Sequence, residues 1–302
     1  MLKLDIITPF FGKKKEIISY VKSLNKIKKF NFDIRLIIIN DNKYFKLKNL
    51  KKLSKFKLLI INNKKNQGPA YCRNIGIKKS KSDYLWFLDH DTKITNTNVI
   101  NKMINYLSFE NRKYSTAITG TYEIIAKKKL YSMPVIFEND ISIYKIINKK
   151  KFHLVSNVYD GTSLFLYRKT YFKVGYFDTK LRAYEDYEWS LRSKLKFIYN
   201  NNFSILHKEK KKEEEEEKNN NNIYNKYFNH VIDSRNRILE KHKKYKKIFM
   251  PLLDPLSFFS IFLCLKVFKT HRSARFYKYS YNYKPYDYIK IWILLLRSYY
   301  KI

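Results

Sequence analysis

Along the first 210 residues the apolar positions fall into short runs separated by polar gaps. Residues 2–8 are apolar apart from Lys3 and Asp5 and stop at Pro9, which predicts a first strand with Pro9-Phe10-Phe11-Gly12 as the loop at its carboxyl end. Ile17, Tyr20, Val21 and Leu24 recur at helical spacing and predict a helix over 16–27. Residues 34–39 and 56–61 read as two further strands, and 68–79 as a helix. Tyr84-Leu85-Trp86-Phe87-Leu88 is an unbroken apolar run, the mark of a strand buried on both faces. The alternation β-α-β-β-α-β argues for an α/β fold with a mostly parallel sheet flanked by helices.

The pattern continues with a helix over 98–107, strands over 118–125 and 133–136, a Gly-led turn at Asp160-Gly161 leading into a strand up to Arg168, and a helix starting at Glu185-Asp186-Tyr187-Glu188. A strand over 197–206 ends at His207. Residues 208–222, with five consecutive glutamates and four consecutive asparagines, are low-complexity and mark a boundary. The expected organisation is therefore an α/β domain over 1–210, a charged loop over 211–222 and a helical, basic-apolar extension over 223–302. Within that extension 224–247 reads as a basic helix, and 256–268 and 288–300 are apolar with interspersed lysines. Their uninterrupted apolar stretches fall short of the roughly 20 residues that span a bilayer.

Polar residues able to bind ligands follow three of the predicted strands: Thr8-Pro9, Asn40-Asp41-Asn42 and Asp89-His90-Asp91. In an open α/β sheet these converge on one edge, outside the carboxyl ends of the strands, where ligands collect. Asp89 and Asp91 are hard oxygen ligands suited to Mg²⁺ or Mn²⁺, and such an ion would bridge to nucleotide phosphates. The same Asp-His-Asp-Thr string also fits a cap on a following turn. Strand alternation turns His90 away from its two neighbours.

Composition adds a charge of +37, from 63 Lys+Arg against 26 Asp+Glu in 302 residues. Nucleic acid or an anionic membrane is the partner such a charge invites, whereas the even spread of lysine among Asn, Ile, Tyr and Phe fits a general compositional bias. With 45% apolar and 17% aromatic residues a full core is expected and global disorder is excluded. Cys72 and Cys264 form neither a metal-ligand spacing nor a disulfide framework, which points to a reducing, cytoplasmic compartment. The chain enters its first strand directly, with no signal peptide expected.

Five motifs, in order, resemble family 2 glycosyltransferases of the GT-A (Rossmann-like nucleotide-diphospho-sugar transferase) fold. They are Ile7-Thr8-Pro9, Ile39-Asn40-Asp41-Asn42, the helix start from Asn66-Gln67-Gly68 to Arg73-Asn74-Ile75-Gly76, Asp89-His90-Asp91 and Glu185-Asp186-Tyr187-Glu188. The resemblance implies an inverting, metal-dependent transfer from a nucleotide-sugar donor to a glycan or lipid-linked acceptor in surface-polysaccharide assembly. It implies donor-binding roles for Thr8, Pro9, Asp41, Asn66, Gly68, Arg73 and Asp89, and a divalent metal, Mn²⁺ or Mg²⁺, on Asp89, Asp91 and His207. Asp186 matches the general base, with Glu185 second, and Gly161 and Glu188 fall on the acceptor side. Arg235-Asn236 resembles a feature that follows the catalytic domain in sugar-polymer members. Asn40, where many members carry a second acid, and Cys72, in place of alanine, depart from the pattern.

Two other readings stay open. A basic nucleic-acid-binding protein accounts for the charge but leaves the converging acids without a purpose, since they repel a polyanion unless a metal intervenes. A metal-dependent nucleotidyltransferase also needs paired carboxylates, yet Pro9-Phe10-Phe11-Gly12 offers one glycine where a phosphate loop needs several. The apolar-basic segments of the extension fit peripheral contact with the inner face of a membrane, or packing on protein or on a second copy.

Overall fold

The computed structural model describes residues 1–28, 32–109 without 43, 45 and 48, 112–126, 129–133, 153–156, 161–207, and positions 233, 234, 237, 238 and 240–242. In chain order the elements are β1 (Leu2–Phe10), α1 (Lys14–Leu24), β2 (Phe32–Asn40), α2 (Leu50–Leu53), β3 (Lys57–Asn62), α3 (Pro69–Lys79), β4 (Tyr84–Leu88), β5 (Thr92–Ile94), α4 (Val99–Ser108), α5 (Arg112–Ser115), β6 (Thr116–Ala126), β7 (Lys129–Met133), β8 (His153–Ser156), β9 (Ser163–Tyr167), α6 (Arg168–Val174), α7 (Glu185–Ser193) and β10 (Lys196–His207). The elements belong to one compact unit, Met1–Val135 with Lys145–Lys210; a second unit comprises Ile136–Tyr144 with Lys211–Ile302. The expected segments 208–222, 256–268 and 288–300, Arg235-Asn236 and most of 224–247 lie outside the described residues, as do 134–136.

The sheet runs β3-β2-β1-β4-β9-β6-β10-β5, with β7 pairing β6 and β8 pairing β10. β3, β2, β1 and β4 are parallel, as are β6 and β10. β9 is inserted antiparallel between β4 and β6. Burial on both faces explains the strand sequences: Leu36, Ile37, Ile38 and Ile39 are all fully buried, and so are Leu85, Trp86, Phe87 and Leu88.

The chain differs from the sequence expectation in a few places. β1 does not stop at Pro9 but pairs with β2 through Phe10↔Asn40. Its ladder with β4 ends at Ile7↔Phe87, so Pro9 lies beyond it and its missing N–H costs no bond on that side. β5, with three residues, and β8, with four, are too short for periodicity to betray. The chain turns helical at Arg168, where alternation suggested the end of a strand; α6 buries only Thr170 and Tyr171, too few to show a helical stripe.

Two helices bring the second half of the chain onto the first. Tyr171 of α6 stacks on Trp189 of α7, with ring centroids 5.4 Å apart and planes 14° from parallel. Phe177 meets Trp189, Tyr171 and Phe87 within 5.8 Å. The tie to α3 is polar. Asn74 donates from Nδ2 to the Phe177 carbonyl at 2.9 Å and accepts the Phe177 N–H on Oδ1 at 3.0 Å, as a strand neighbour would.

Because Asn74 is only 8% exposed, its removal strands a backbone donor and acceptor together. Asn74→Ala is expected to lower unfolding stability by about 2–3 kcal/mol, measured by urea denaturation. Asn74→Asp should cost at least as much, since it sets a buried carboxylate oxygen against the Phe177 carbonyl.

Candidate active site

The chain is wound outward from β1 to β2 and β3, then returns to the other side of β1 as β4. This reversal opens a crevice at the carboxyl ends of β1, β2 and β4, where an α/β sheet binds its ligand. Three acids arrive there: Asp41 one residue after β2, Asp89 one residue after β4, and Asp91 next to β5.

Asp41 is 3% exposed, and its carboxylate is bound by the chain itself. Oδ1 accepts from Asn63 Nδ2 at 2.8 Å and from the Gln67 N–H at 2.9 Å; Oδ2 accepts from the Gly68 N–H at 2.8 Å and shares the Gln67 N–H at 3.0 Å. Asp41 therefore shapes the loop that launches α3. Gly68 enters that helix with φ 87°, a conformation suited to glycine, and Pro69 occupies the first turn, where a missing N–H is harmless. Burial pushes the Cys72 thiol up, the Asp41 charge adds to it, and the residue stays a protonated core side chain.

Arg73, one turn into α3, is 2% exposed. Its Nη1 donates to Glu185 Oε1 at 2.5 Å, and its Nη2 donates to Asp89 Oδ1 at 3.1 Å and to the Gly161 carbonyl at 3.0 Å. The guanidinium carbon sits 5.7 Å from the centre of the Phe177 ring. One buried cation thus binds the end of β4, the turn before β9 and the start of α7. β9 reaches this point because it pairs with β4 to Leu88↔Ser163, after which the Asp89 N–H donates to the Thr162 carbonyl at 3.0 Å.

Asp186 follows Glu185 in the first turn of α7. Its Oδ2 accepts the Gly161 N–H at 2.5 Å and its Oδ1 the N–H of Tyr187 at 2.8 Å. Asp186 is half-buried, whereas Glu185 is 6% exposed and engaged by Arg73. Tyr184, ahead of the pair, adopts φ 58° and ψ 22°, a left-handed conformation that an aromatic residue rarely takes. That kink feeds both acids into the cluster. Gly161 is held to its identity by contact: a Cβ there would lie 2.8 Å from Asp186 Oδ2 and 3.4 Å from Arg73 Nη2.

Of the residues expected at the site, the structure brings together Asp89, Arg73, Gly161, Glu185 and Asp186. Asp41 and Gly68 form the adjoining loop, with Asn66 exposed at its tip. Thr8 is fully buried and its hydroxyl is 2.6 Å from that of Tyr20, so it supports the crevice from below instead of facing into it. Burial drives the Tyr20 phenol up, and the Asp89 and Asp91 charges push the same way, against the Thr8 hydrogen bond. Glu188, expected on the acceptor side, is fully buried, with Oε1 accepting from Arg192 Nε at 2.8 Å. It therefore anchors α7: Arg192 in turn donates to the carbonyls of Val174 and Tyr176. His90 does turn away from the two acids, toward Glu16 Oε2 at 3.8 Å and edge-on to Phe10.

Asp89 and Asp91 have the oxygen chemistry of a hard divalent cation, and the backbone of His207, at the end of β10, is in register with Thr92 beside them. The His207 side chain lies outside the described residues. Among the described residues no cluster of three ligating side chains occurs. Two further residues gave no signal in the sequence. Asn63 reaches Asp41 only through the fold, and Arg182, three positions ahead of Glu185, lies against the Asn66–Gly68 loop.

Fold and site together define the GT-A architecture. The chain belongs to glycosyl transferase family 2, whose sequence model matches residues 5–174, more than half of its length. It is 29% identical over 198 residues to an uncharacterized glycosyltransferase of Haemophilus influenzae, covering 63% of this chain and 61% of that one. It is likewise 29% identical over 160 residues to the poly(ribitol-phosphate) beta-N-acetylglucosaminyltransferase TarP of Staphylococcus aureus, covering 52% and 47%. The chain thus spans about half to three-fifths of these relatives. Among solved structures, S. aureus TarS 1–349 superposes with a TM-score of 0.57 at 16% identity, over 98% of this chain and 80% of that one. GalNAc-T7 with UDP, GalNAc and Mn²⁺ gives 0.55 at 16%, over 70% and 44%. These likenesses establish the fold.

Gly161→Ala tests the site's closeness. The added methyl is expected to displace Asp186 and to lower transfer activity at least about tenfold, while far-UV circular dichroism stays that of the wild type.

Proposed function

We propose that the protein is an inverting, cation-dependent glycosyltransferase that takes a sugar from a nucleotide-sugar donor and places it on a glycan or lipid-linked acceptor in cell-surface polysaccharide assembly. One observation carries this reading: the carboxylate of Asp89 and the separate half-buried carboxylate of Asp186 are joined in one cluster through Arg73 and Gly161. Inversion needs a base for the acceptor hydroxyl, and a cation on the leaving group needs carboxylates of its own. Membership of the family supports the reaction class, and the UDP in the TarS complex and the Mn²⁺ with GalNAc-T7 support the donor and the ion. The name of TarP, which acts on a poly(ribitol-phosphate), supports a surface polymer as acceptor.

In this mechanism Asp41 and the Asn66–Gly68 loop shape the donor seat, and Asp89 and Asp91 face the diphosphate. Asp89 and Asp91, with His207 as a further candidate ligand, would hold a divalent cation, which would supply positive charge against that developing on the departing diphosphate. Asp186 takes the proton of the acceptor hydroxyl. The acceptor oxygen bonds to the anomeric carbon on the face opposite the leaving group, and the electron pair of the broken bond leaves on the nucleoside diphosphate. Gly161 and Tyr187 fix the plane of the Asp186 carboxylate through their N–H groups. Arg73 keeps Glu185 and Asp89 in place and binds Glu185 too closely for it to serve as the base. Peripheral contact of residues 223–302 with the inner membrane face belongs to the same proposal, motivated by their basic-apolar composition. Among the described residues no helix is long and apolar enough to cross a membrane.

The test is release of nucleoside diphosphate from a panel of nucleotide sugars with Mn²⁺ present. Asp186→Asn is expected to cut kcat by about 10²–10⁴ while leaving the thermal stabilisation by UDP and Mn²⁺ in place. Asp91→Ala should abolish the Mn²⁺-dependent part of that stabilisation. Full transfer by Asp186→Asn would remove the assignment of the base and with it this mechanism.

A further inference from the structure

A nucleotide-sugar donor brings a diphosphate to an edge already crowded with acids: Asp41, Asp89, Asp91, Glu185 and Asp186. The arginine that the sequence motif supplies cannot balance it. Arg73 is buried, and its charge is matched twice over, by Glu185 and by Asp89. Even with a divalent ion on Asp89 and Asp91, the five carboxylates outnumber the positive charges before any diphosphate arrives. A further cation has to face the crevice from elsewhere.

Arg182 occupies that position. It belongs to the segment between α6 and α7 that ends at Glu185, and it lies across the loop that Asp41 clamps. Its Nη1 donates to Asn66 Oδ1 at a long 3.4 Å, and the same nitrogen would be 2.8 Å from a Cβ on Gly68. The guanidinium thus rests on the glycine backbone itself, at a residue whose φ of 87° already favours glycine. Arg182 is exposed, and among the described residues it forms no ion pair, in contrast to Arg35, Arg73 and Arg192. A planar fork of N–H donors held in this way fits two phosphate oxygens, as a lysine ammonium cannot.

We propose that Arg182 is a donor-binding residue that grips the diphosphate of the nucleotide-sugar and of the nucleoside diphosphate product. It reads the charged bridge between base and sugar, not the base. It stands three residues ahead of Glu185, in the segment that also carries Asp186. The inference rests on the glycosyltransferase reading of the site and adds a ligand contact that the motifs do not name.

The test is isothermal titration of the full chain with UDP, GDP, ADP and CDP in the presence of Mn²⁺, followed by the best-bound diphosphate and its parent nucleoside (by competition) on three proteins: wild type, Arg182→Ala and Arg182→Lys. Arg182→Ala is expected to weaken the diphosphate about tenfold to a hundredfold, with the nucleoside unchanged within about twofold. Arg182→Lys should recover only part of the loss, and the melting temperature of the unliganded protein should not move. Equal weakening of diphosphate and nucleoside, or an unchanged diphosphate affinity, overturns the role of Arg182 while leaving the reaction class standing. Failure of every diphosphate to bind the wild-type chain removes the donor reading and the inference together.

Discussion

The site depends on a single buried guanidinium. Arg73 sits where the end of β4, the turn before β9 and the start of α7 meet, and a cation in that position would be prohibitively unstable without partners. Glu185, Asp89 and the Gly161 carbonyl supply them. In return each partner is fixed: Asp89 after β4, Gly161 close to Asp186, and Glu185 at the head of α7, which carries the proposed base. The arrangement is mutual, since removing any one member leaves an unmatched charge or a stranded hydrogen-bonding group.

Two layers outside this cluster keep it in register. Asp41 secures the loop ahead of α3 through backbone N–H groups, which sets the helix and therefore the height of Arg73 above the sheet. Asn74, the next residue along, binds both backbone groups of Phe177 and so fixes the segment that runs on to Arg182 and Asp186. Behind them the Tyr171–Trp189 stack and the Glu188–Arg192 pair seat α7 against α6. Acids that look alike in the sequence thus divide into two kinds. Asp41, Glu185 and Glu188 are spent on the scaffold, while Asp89 and Asp186 keep partial exposure where a substrate would sit.

Much of this was legible in the chain. Runs such as Tyr84–Leu88 and residues 34–39 are long enough, and apolar enough, to announce buried parallel strands, and ligand-binding residues after such strands must share an edge. Glu185-Asp186 could be paired with Asp89 only by resemblance, because no periodicity links positions so far apart. What escaped was what depends on side-chain direction. Spacing places Thr8, Asp41 and Glu188 correctly along the chain but does not say whether a side chain faces the crevice or the core. Thr8 turns to Tyr20, Glu188 to Arg192, and Asp41 to its own loop. Elements of three or four residues, such as β5 and β8, carry too few positions for any period to show.

The span of the Arg73 contacts has a consequence for how the chain comes together. Its partner Gly161 lies 88 residues downstream and Glu185 lies 112 downstream, so the guanidinium gains its full set of hydrogen bonds only after most of the chain has emerged. Should α3 settle on the growing sheet earlier, it would enclose a cation with Asp89 alone. The guanidinium N–H groups left without acceptors favour reopening over premature closure, which makes the late arrival of α7 a checkpoint: α3 locks only when the segment carrying Glu185 and Asp186 has docked beside it.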